Sequence, residues 1–466
     1  MIRWEIVFCR FIKLYRRREL NAVVGDRVVE SMPAPASKDK AKMGRRRWYI
    51  FLVFGIQFML AHLHRMSPAV LASDLVNAFH VSATGLGFLS SAYYYAYCFA
   101  QIPVGILSDK IGVRKTAVLF GVIGVAGSTL FALATSFPVA ILSRILIGLG
   151  VAAIFVPGMK ALGELFRGNE YARISGLFMS AGAVGWLLSA LPLAAFTLIF
   201  TWRTFFLLLS LVMLVLVALT WLAMASAPQK KQAAPPVEKT DNKKEKTGSQ
   251  IRIMLLERHF WSTALWFFTR SGISFGFFGL WVGPYLMDVY GLSKLHASQI
   301  LCMYPLGIIV GSPLLGYLSD KVLMSRKKIT LGTSVFHSIF WVVMVVFFAD
   351  LSLPVLSALF FFMGIIVGSP GTVSLTSIKE QMSAGIAGTS IGAVNMAGFL
   401  GTFLMQPLIG YIIDISGNNT RGSAASAYRS VFWVFLGVSC VALISIAFSK
   451  ETLTKDADHN LFPRDA

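Results

Sequence analysis

Arg270 is the residue that most demands a chemical explanation. It stands well inside an apolar stretch running from 260 to 287, roughly 15 Å along a helix that rises about 1.5 Å per residue. A guanidinium at that depth needs an anion, a water-filled cavity or carbonyl partners. It therefore either faces a cavity and holds a ligand, or is paired structurally with polar groups. Arg65 lies toward the far end of the stretch 48–70. If that helix extends to Leu71, Arg65 lines the outer half of a cavity. If it ends at Leu63, the side chain snorkels to the interface. Meeting in one cavity, the two arginines would suit a phosphate or carboxylate bidentately. Arg144, early in the stretch 138–160, fits an interface or coupling role better than ligand contact.

No Asp or Glu occupies the middle of an apolar stretch. Asp74, Asp288 and Asp414 stand at one set of ends, Glu164 and Glu380 at the other. The candidate proton carriers are therefore His337, His62 and His64, whose ordinary titration is near physiological pH. The alternative for His337 is a core histidine bonded to a carbonyl. Tyr94, Tyr97 and Gln101 share one helical face at three- and four-residue spacing, a candidate cavity wall; packing or an aromatic belt is the competing reading. Asn395 and Gln406 are similar candidates.

The elements that position these residues follow from composition. The 466-residue chain is 56% hydrophobic and 14% charged, with a mean hydropathy of +0.69. A soluble protein could not bury that much apolar surface behind so few charges. About twelve blocks reach the roughly 20 residues needed to cross hydrocarbon, and backbone satisfaction in lipid makes them helices. The short alternating strands of a membrane barrel are absent. The blocks fall at 48–70, 85–106, 116–135, 138–160, 173–196, 203–225, 260–287, 296–318, 329–349, 353–376, 388–413 and 428–448. The expected class is an all-α membrane protein of twelve transmembrane helices in two six-helix bundles. It divides into a basic tail (1–47), a first bundle (48–225), a linker (226–258), a second bundle (259–448) and a C-terminal tail (449–466).

The net charge of +20 reads as orientation, not nucleic-acid binding, because Lys and Arg accumulate on the cytoplasmic side. The outer loops and span ends hold only Arg65, Arg203, Lys294, Arg421 and Arg429, and Arg144 and Arg270 lie within spans; the rest of the 42 Lys and Arg fall on the inner side. Both termini are thus expected in the cytoplasm, with the chain multi-pass in a plasma membrane of bacterial inner-membrane type. The linker's Pro235–Pro236 and Lys/Glu-rich run read as flexible. The basic tail is a mobile segment, or a start read too early with Met43 as the true start; a surface-lying helix over 2–20 is a third possibility. No cleavable signal peptide is expected. Cys9, Cys98, Cys302 and Cys440 lack metal or disulfide spacing, and no metal or cofactor is expected.

The two halves resemble each other. Pro103–Lys110 (PVGILSDK) recurs as Leu314-Leu-Gly-Tyr-Leu-Ser-Asp-Lys321, and Pro157-Gly158 as Pro370-Gly371, at nearly constant offset; this is what a duplicated bundle predicts. The run Gly105-Ile-Leu-Ser-Asp-Lys-Ile-Gly-Val-Arg-Lys115 resembles the signature loop of the major facilitator superfamily, and with the six-plus-six layout the resemblance covers about Trp48 to Phe448. It implies a monomeric alternating-access transporter and no enzyme. Asp109 would face the positive N-terminus of the eleventh helix, near Ala387, as a latch of the outward-open state. Gly105 and Gly112 would permit tight turning and close approach, and Lys110, Arg114 and Lys115 would add ion pairs. Gly316, Asp320 and Lys321 would latch the other half, although that copy lacks the second glycine and is longer.

The run from Arg47-Trp48 to Arg65 is more narrowly similar to bacterial organophosphate:phosphate antiporters and anion:cation symporters, in which an arginine of the first helix holds the substrate anion; the flanking His64 and Met66-Ser67-Pro68 depart from that pattern. Gly182-Ala-Val-Gly185 lacks the Gly-Pro pair of drug:proton antiporters. The expected function is secondary transport of a small polar, anionic solute: an organic phosphate, carboxylate, amino acid or short peptide. A coupled proton or a counter-transported anion would drive it, within membrane lipid. The alternatives are a transporter-like sensor that binds without net flux, and a neutral-sugar transporter. A lipid-modifying enzyme would need clustered acids, a metal set or an activated nucleophile, and none appears.

Overall fold

A computed structural model describes residues 37–166, 169–225, 252, 254–368, 373–382, 387–416, 421–449 and 451–452. All regular structure among them is helical. The first half comprises α1 (Ser37–Met66), α2 (Pro68–Phe79), α3 (Ala83–Lys110), α4 (Val113–Leu133), α5 (Phe137–Leu165), α6 (Asn169–Leu188), the short α7 (Leu191–Phe196) and α8 (Trp202–Ala223). The second comprises α9 (Arg258–Gly276), which passes through a π-helical turn at Phe277–Trp281 into α10 (Val282–Tyr290), then α11 (Lys294–Tyr317), α12 (Arg326–Val346), α13 (Leu353–Val367), α14 (Leu375–Gln381), α15 (Ala387–Ser416) and α16 (Arg421–Ala447). The expected 2–20 helix, the second Pro-Gly pair (Pro370-Gly371) and nearly all of the linker lie outside the described residues.

Nine helical runs among the described residues are long and apolar enough to cross a membrane, which makes this a multi-pass membrane protein. The expected stretches 85–106, 260–287 and 353–376 fall outside that set, though α3, α9–α10 and α13 occupy them. The tyrosines and Gln101 of α3 and the Arg, Ser and Thr residues of α9 dilute their hydropathy. Proline shapes two spans. Pro68 has no N–H and opens α2 just after α1 ends, so the helical path of the first span continues to Phe79. Pro192 likewise opens α7 after a break at Ser189–Ala190.

Within the first half α4 packs on α5 and α8, and α3 on α5; within the second, α9 packs on α15 and α16, α11 on α13, and α12 on α16. The halves meet where α3 lies against α15, α11 against α6 and α7, and α2 against the π turn and α10. Glycine permits the closest of these crossings. A Cβ at Gly283 would stand 1.9 Å from the Ala69 carbonyl oxygen, and one at Gly410 2.3 Å from that of Ala83.

These contacts gather at one end of the bundle, the end expected to face outward. There Lys294 pairs with Asp74 at 2.5 Å. The Asp414 carboxylate accepts from the Ala83 and Thr84 backbone N–H groups at 3.0 and 2.8 Å and from the Thr84 hydroxyl at 2.5 Å. An acid of the second half thus caps a helix of the first, where the exposed N–H groups and the helix dipole favour it.

Replacing Gly283 with Ala is expected to prop this end open. In a cysteine-free background carrying Ser274→Cys, labelling by a membrane-impermeant thiol reagent added from the outer side should rise severalfold. The same change at Gly316, where a Cβ meets nothing within 4 Å, should leave labelling unchanged.

Candidate substrate cavity

Two helical stripes face one another. On α1, Phe58, His62 and Arg65 stand at i, i+4 and i+7; on α9, Phe267, Arg270, Ser271 and Ser274 do the same at i, i+3, i+4 and i+7, the spacing that keeps side chains on one face. All seven line a single cavity of about 240 Å³, joined by Tyr97 of α3, Phe155 of α5, Met179 of α6, Phe275 at the end of α9, Val367 of α13, Leu375 of α14, and Asn395, Gly398 and Phe399 of α15. No Asp or Glu is among the lining residues.

Arg65 is 4% exposed. It occupies the last turn of α1, and the continuation of the chain into α2 sets it inside the bundle, not at its edge. Its guanidinium stands 4.8 Å from the Tyr97 ring, 5.6 Å from Tyr93 and 5.1 Å from Phe399 of the opposite half. Ring faces carry negative potential and accept a cation in this way. Its Nε is buried with no hydrogen-bond partner. Arg270 is 1% exposed, and Nη1 and Nη2 donate to the Thr333 and Ile366 carbonyls at 3.3 Å each. Its Nε too has no partner. Carbonyls thus anchor Arg270, and it also lines the cavity.

Of the three histidines only His62 lines the cavity, with Nδ1 3.0 Å from the Phe58 carbonyl. His64 points into the core of its half, 3.2 Å from the Met213 sulfur. Its own carbonyl accepts from Arg144 at 2.9 Å. Arg144 is thus a buried tie between α5 and α1. His337 is buried and receives a hydrogen bond from the Trp341 indole at 3.2 Å; the alternative of a core histidine supposed a carbonyl partner, and the partner here is an aromatic donor.

Of the polar wall expected on α3, Tyr97 lines the cavity and Tyr94 and Gln101 do not. Tyr94 lies one turn nearer the closed end, covered by Phe275 and Phe399 at 6.5 and 6.3 Å between ring centres. Asn395 lines the cavity. Gln406 does not line it: its Nε2 donates to the Phe275 carbonyl, and its backbone carbonyl accepts from the Trp281 indole.

At the opposite end the acids described pair within their own halves. Asp109 binds Lys160 of α5 at 2.7 Å. Asp320 binds Arg326, which also holds Glu380 at 2.9 Å. In this conformation the partner of Asp320 is therefore Arg326 and not the adjacent Lys321. A π turn at Leu318–Val322 and a left-handed Met324 at φ 46° turn the longer loop back and deliver Arg326 instead. No ion pair among the described residues involves Lys110 or Lys115, and Arg114 stacks 3.6 Å from the Trp221 ring. Gly112 adopts φ 86° as the turn requires. A Cβ at Gly105 would meet nothing within 4 Å, so the close approach expected of it is not made in this conformation.

The family model of the Major Facilitator Superfamily matches residues 50–405 and 271–461, and the chain belongs to that family. Among curated proteins, it is 26% identical to the uncharacterized transporter YybO of Bacillus subtilis over 437 residues, covering 86% of this chain and 96% of the relative. It is 25% identical to the hexuronate transporter of the same organism, covering 82% and 92%, and 28% identical to the galacturonate transporter of Dickeya chrysanthemi, covering 61% and 88%. Among solved structures, a bacterial homolog of the human lysosomal transporter Spinster, in an inward-facing and unoccupied conformation, superposes with a TM-score of 0.73 at 16% identity, covering 86% and 96% of the two chains; this likeness establishes the fold.

The placement of the histidines gives a direct test. His62→Gln is expected to weaken ligand-induced thermal stabilisation severalfold, because His62 lines the cavity. His64→Gln and His337→Gln should leave ligand binding unchanged while lowering the melting temperature, each by an amount corresponding to about 1–3 kcal/mol.

Proposed function

We propose that the chain is a twelve-span, alternating-access secondary transporter of a small organic anion, with both termini on the cytoplasmic side of the plasma membrane. The observation that carries this reading is the convergence of Arg65 and Arg270, one from each half, on a cavity whose lining holds no acid. An anion bound there supplies the countercharge that the protein does not. The two guanidiniums belong to opposite halves, so the bound anion bridges the parts that rock against each other. The relatives named as hexuronate and galacturonate transporters, together with a D-galactonate transporter of Escherichia coli at 25% identity, support an anionic carboxylate as cargo. In this orientation the closed outer end and the separately paired inner acids correspond to an inward-facing state. Asp109 and Asp320 exchange their partners when the inner end closes. Transport couples either to a proton or to a counter-transported anion.

Reconstituted vesicles loaded and assayed with carboxylates and organic phosphates test the reading. Arg65→Ala and Arg270→Ala are each expected to raise KM about 10- to 100-fold, the loss of one charge-assisted contact of about 1.5–3 kcal/mol. Arg270→Lys should not restore it, because a point charge cannot replace the planar fork. Binding without flux in the native protein would establish the sensor alternative. Flux of neutral sugars, indifferent to both alanine changes, would establish the neutral-sugar alternative.

A further inference from the structure

The geometry points to a carboxylate carried on a flat, apolar, ring-bearing body as the cargo, in preference to a polyhydroxylated acid; this inference rests on the anionic reading above. The cavity walls are built of rings. On the first-half side Phe58 stacks on Phe155 at 5.7 Å and 30°, and is backed by Phe178 at 4.6 Å and 18°. On the second-half side Phe275 and Phe399 lie 6.5 Å apart and within 19° of parallel. Each half thus presents an aromatic surface to the same space, and a planar body between them gains both apolar burial and ring–ring contact.

The polar groups are few and placed to one purpose. Apart from the arginines the lining offers His62, Tyr97, Ser271, Ser274 and Asn395. His62 already directs Nδ1 at a carbonyl, and the Tyr97 ring stacks against Tyr93 and carries the Arg65 guanidinium over its face. Ser271 and Ser274 follow Arg270 on its own helix and line the cavity beside it. That cluster forms a pole for an acid group and one further polar substituent. A sugar acid carries a hydroxyl on nearly every carbon, and each one pressed against phenylalanine loses its water without replacement. A ring-bearing acid leaves nothing unpaired along its body.

Purified protein in detergent would be assayed by thermal shift and by competition, with benzoate and 3-phenylpropionate against galacturonate and gluconate, on the native chain, Arg270→Ala and Phe155→Leu. The aromatic acids are expected to bind at least tenfold tighter than the sugar acids. Their binding should be lost in Arg270→Ala and weakened about tenfold in Phe155→Leu, which keeps apolar bulk but removes a ring. Sugar acids binding tighter than aromatic acids, with the same Arg270 dependence, would overturn this inference and leave the anionic reading standing. A cooperatively melting protein stabilised by neither class would overturn both.

Discussion

A guanidinium within hydrocarbon depth has no cheap resting state, and this chain contains three such groups without a single carboxylate at mid-span. Removing a charge from water costs far more than one hydrogen bond returns. The structure meets that cost with carbonyl oxygens for Arg144 and Arg270 and with ring faces for Arg65. These partners are dipoles and quadrupoles, so they stabilise the cations without cancelling their charge. Positive potential consequently persists in the cavity, and a low-dielectric surround makes it strong. Had an aspartate stood opposite either arginine, the same geometry would have formed a structural ion pair and the cavity would have been indifferent to anions.

The architecture puts that potential at a junction. Arg65 lies in α1 and Arg270 in α9, so the cavity lies between the first and second halves of the helical chain, the parts proposed to rock against each other. What holds them is distributed unevenly along the bundle axis. At the closed end the halves touch through backbone, with glycines admitting carbonyl oxygens to distances that a side chain would forbid, and through Asp414 capping α3. At the other end each half satisfies its acids internally, through Lys160 for Asp109 and Arg326 for Asp320 and Glu380. Alternative partners for a few surface acids are enough to bias two packings of rigid helices, because tightly packed interiors switch between discrete arrangements and do not deform smoothly.

The aromatic residues do more than fill space. Phe275 and Phe399 pack against Trp186, Tyr94 and Tyr97, and so serve both as cavity wall and as the seal on the closed side. In the proposed cycle, a cargo that stacks on these rings would favour the sealed arrangement by the difference in its contacts between the two states, and by no more than that.

Much of this was present in the one-dimensional pattern. Hydropathy blocks of spanning length, the Lys and Arg bias, the repeated Gly-x-Leu-Ser-Asp-Lys loop and the isolated Arg270 are local or periodic features, fixed by the bilayer's thickness and by the cost of burying charge. They identify a duplicated helical membrane protein with cationic mid-depth residues before any contact is known. The i, i+4, i+7 stripe from Arg65 could also have singled out Phe58 and His62, since helical geometry alone puts them on its face. Other features depended on which helix lies beside which. The sequence could not tell that His64 and His337 would be spent on packing while His62 met the cavity, nor that Tyr94 would be covered and Tyr97 left lining it, because one helical turn separates wall from floor. Nor could it pair Asp320 with Arg326 over the adjacent Lys321, a choice made by a π turn and one left-handed residue. Tertiary structure decided these matters for a single physical reason: charge and burial act through space at a few ångströms, and distance along the chain does not measure them.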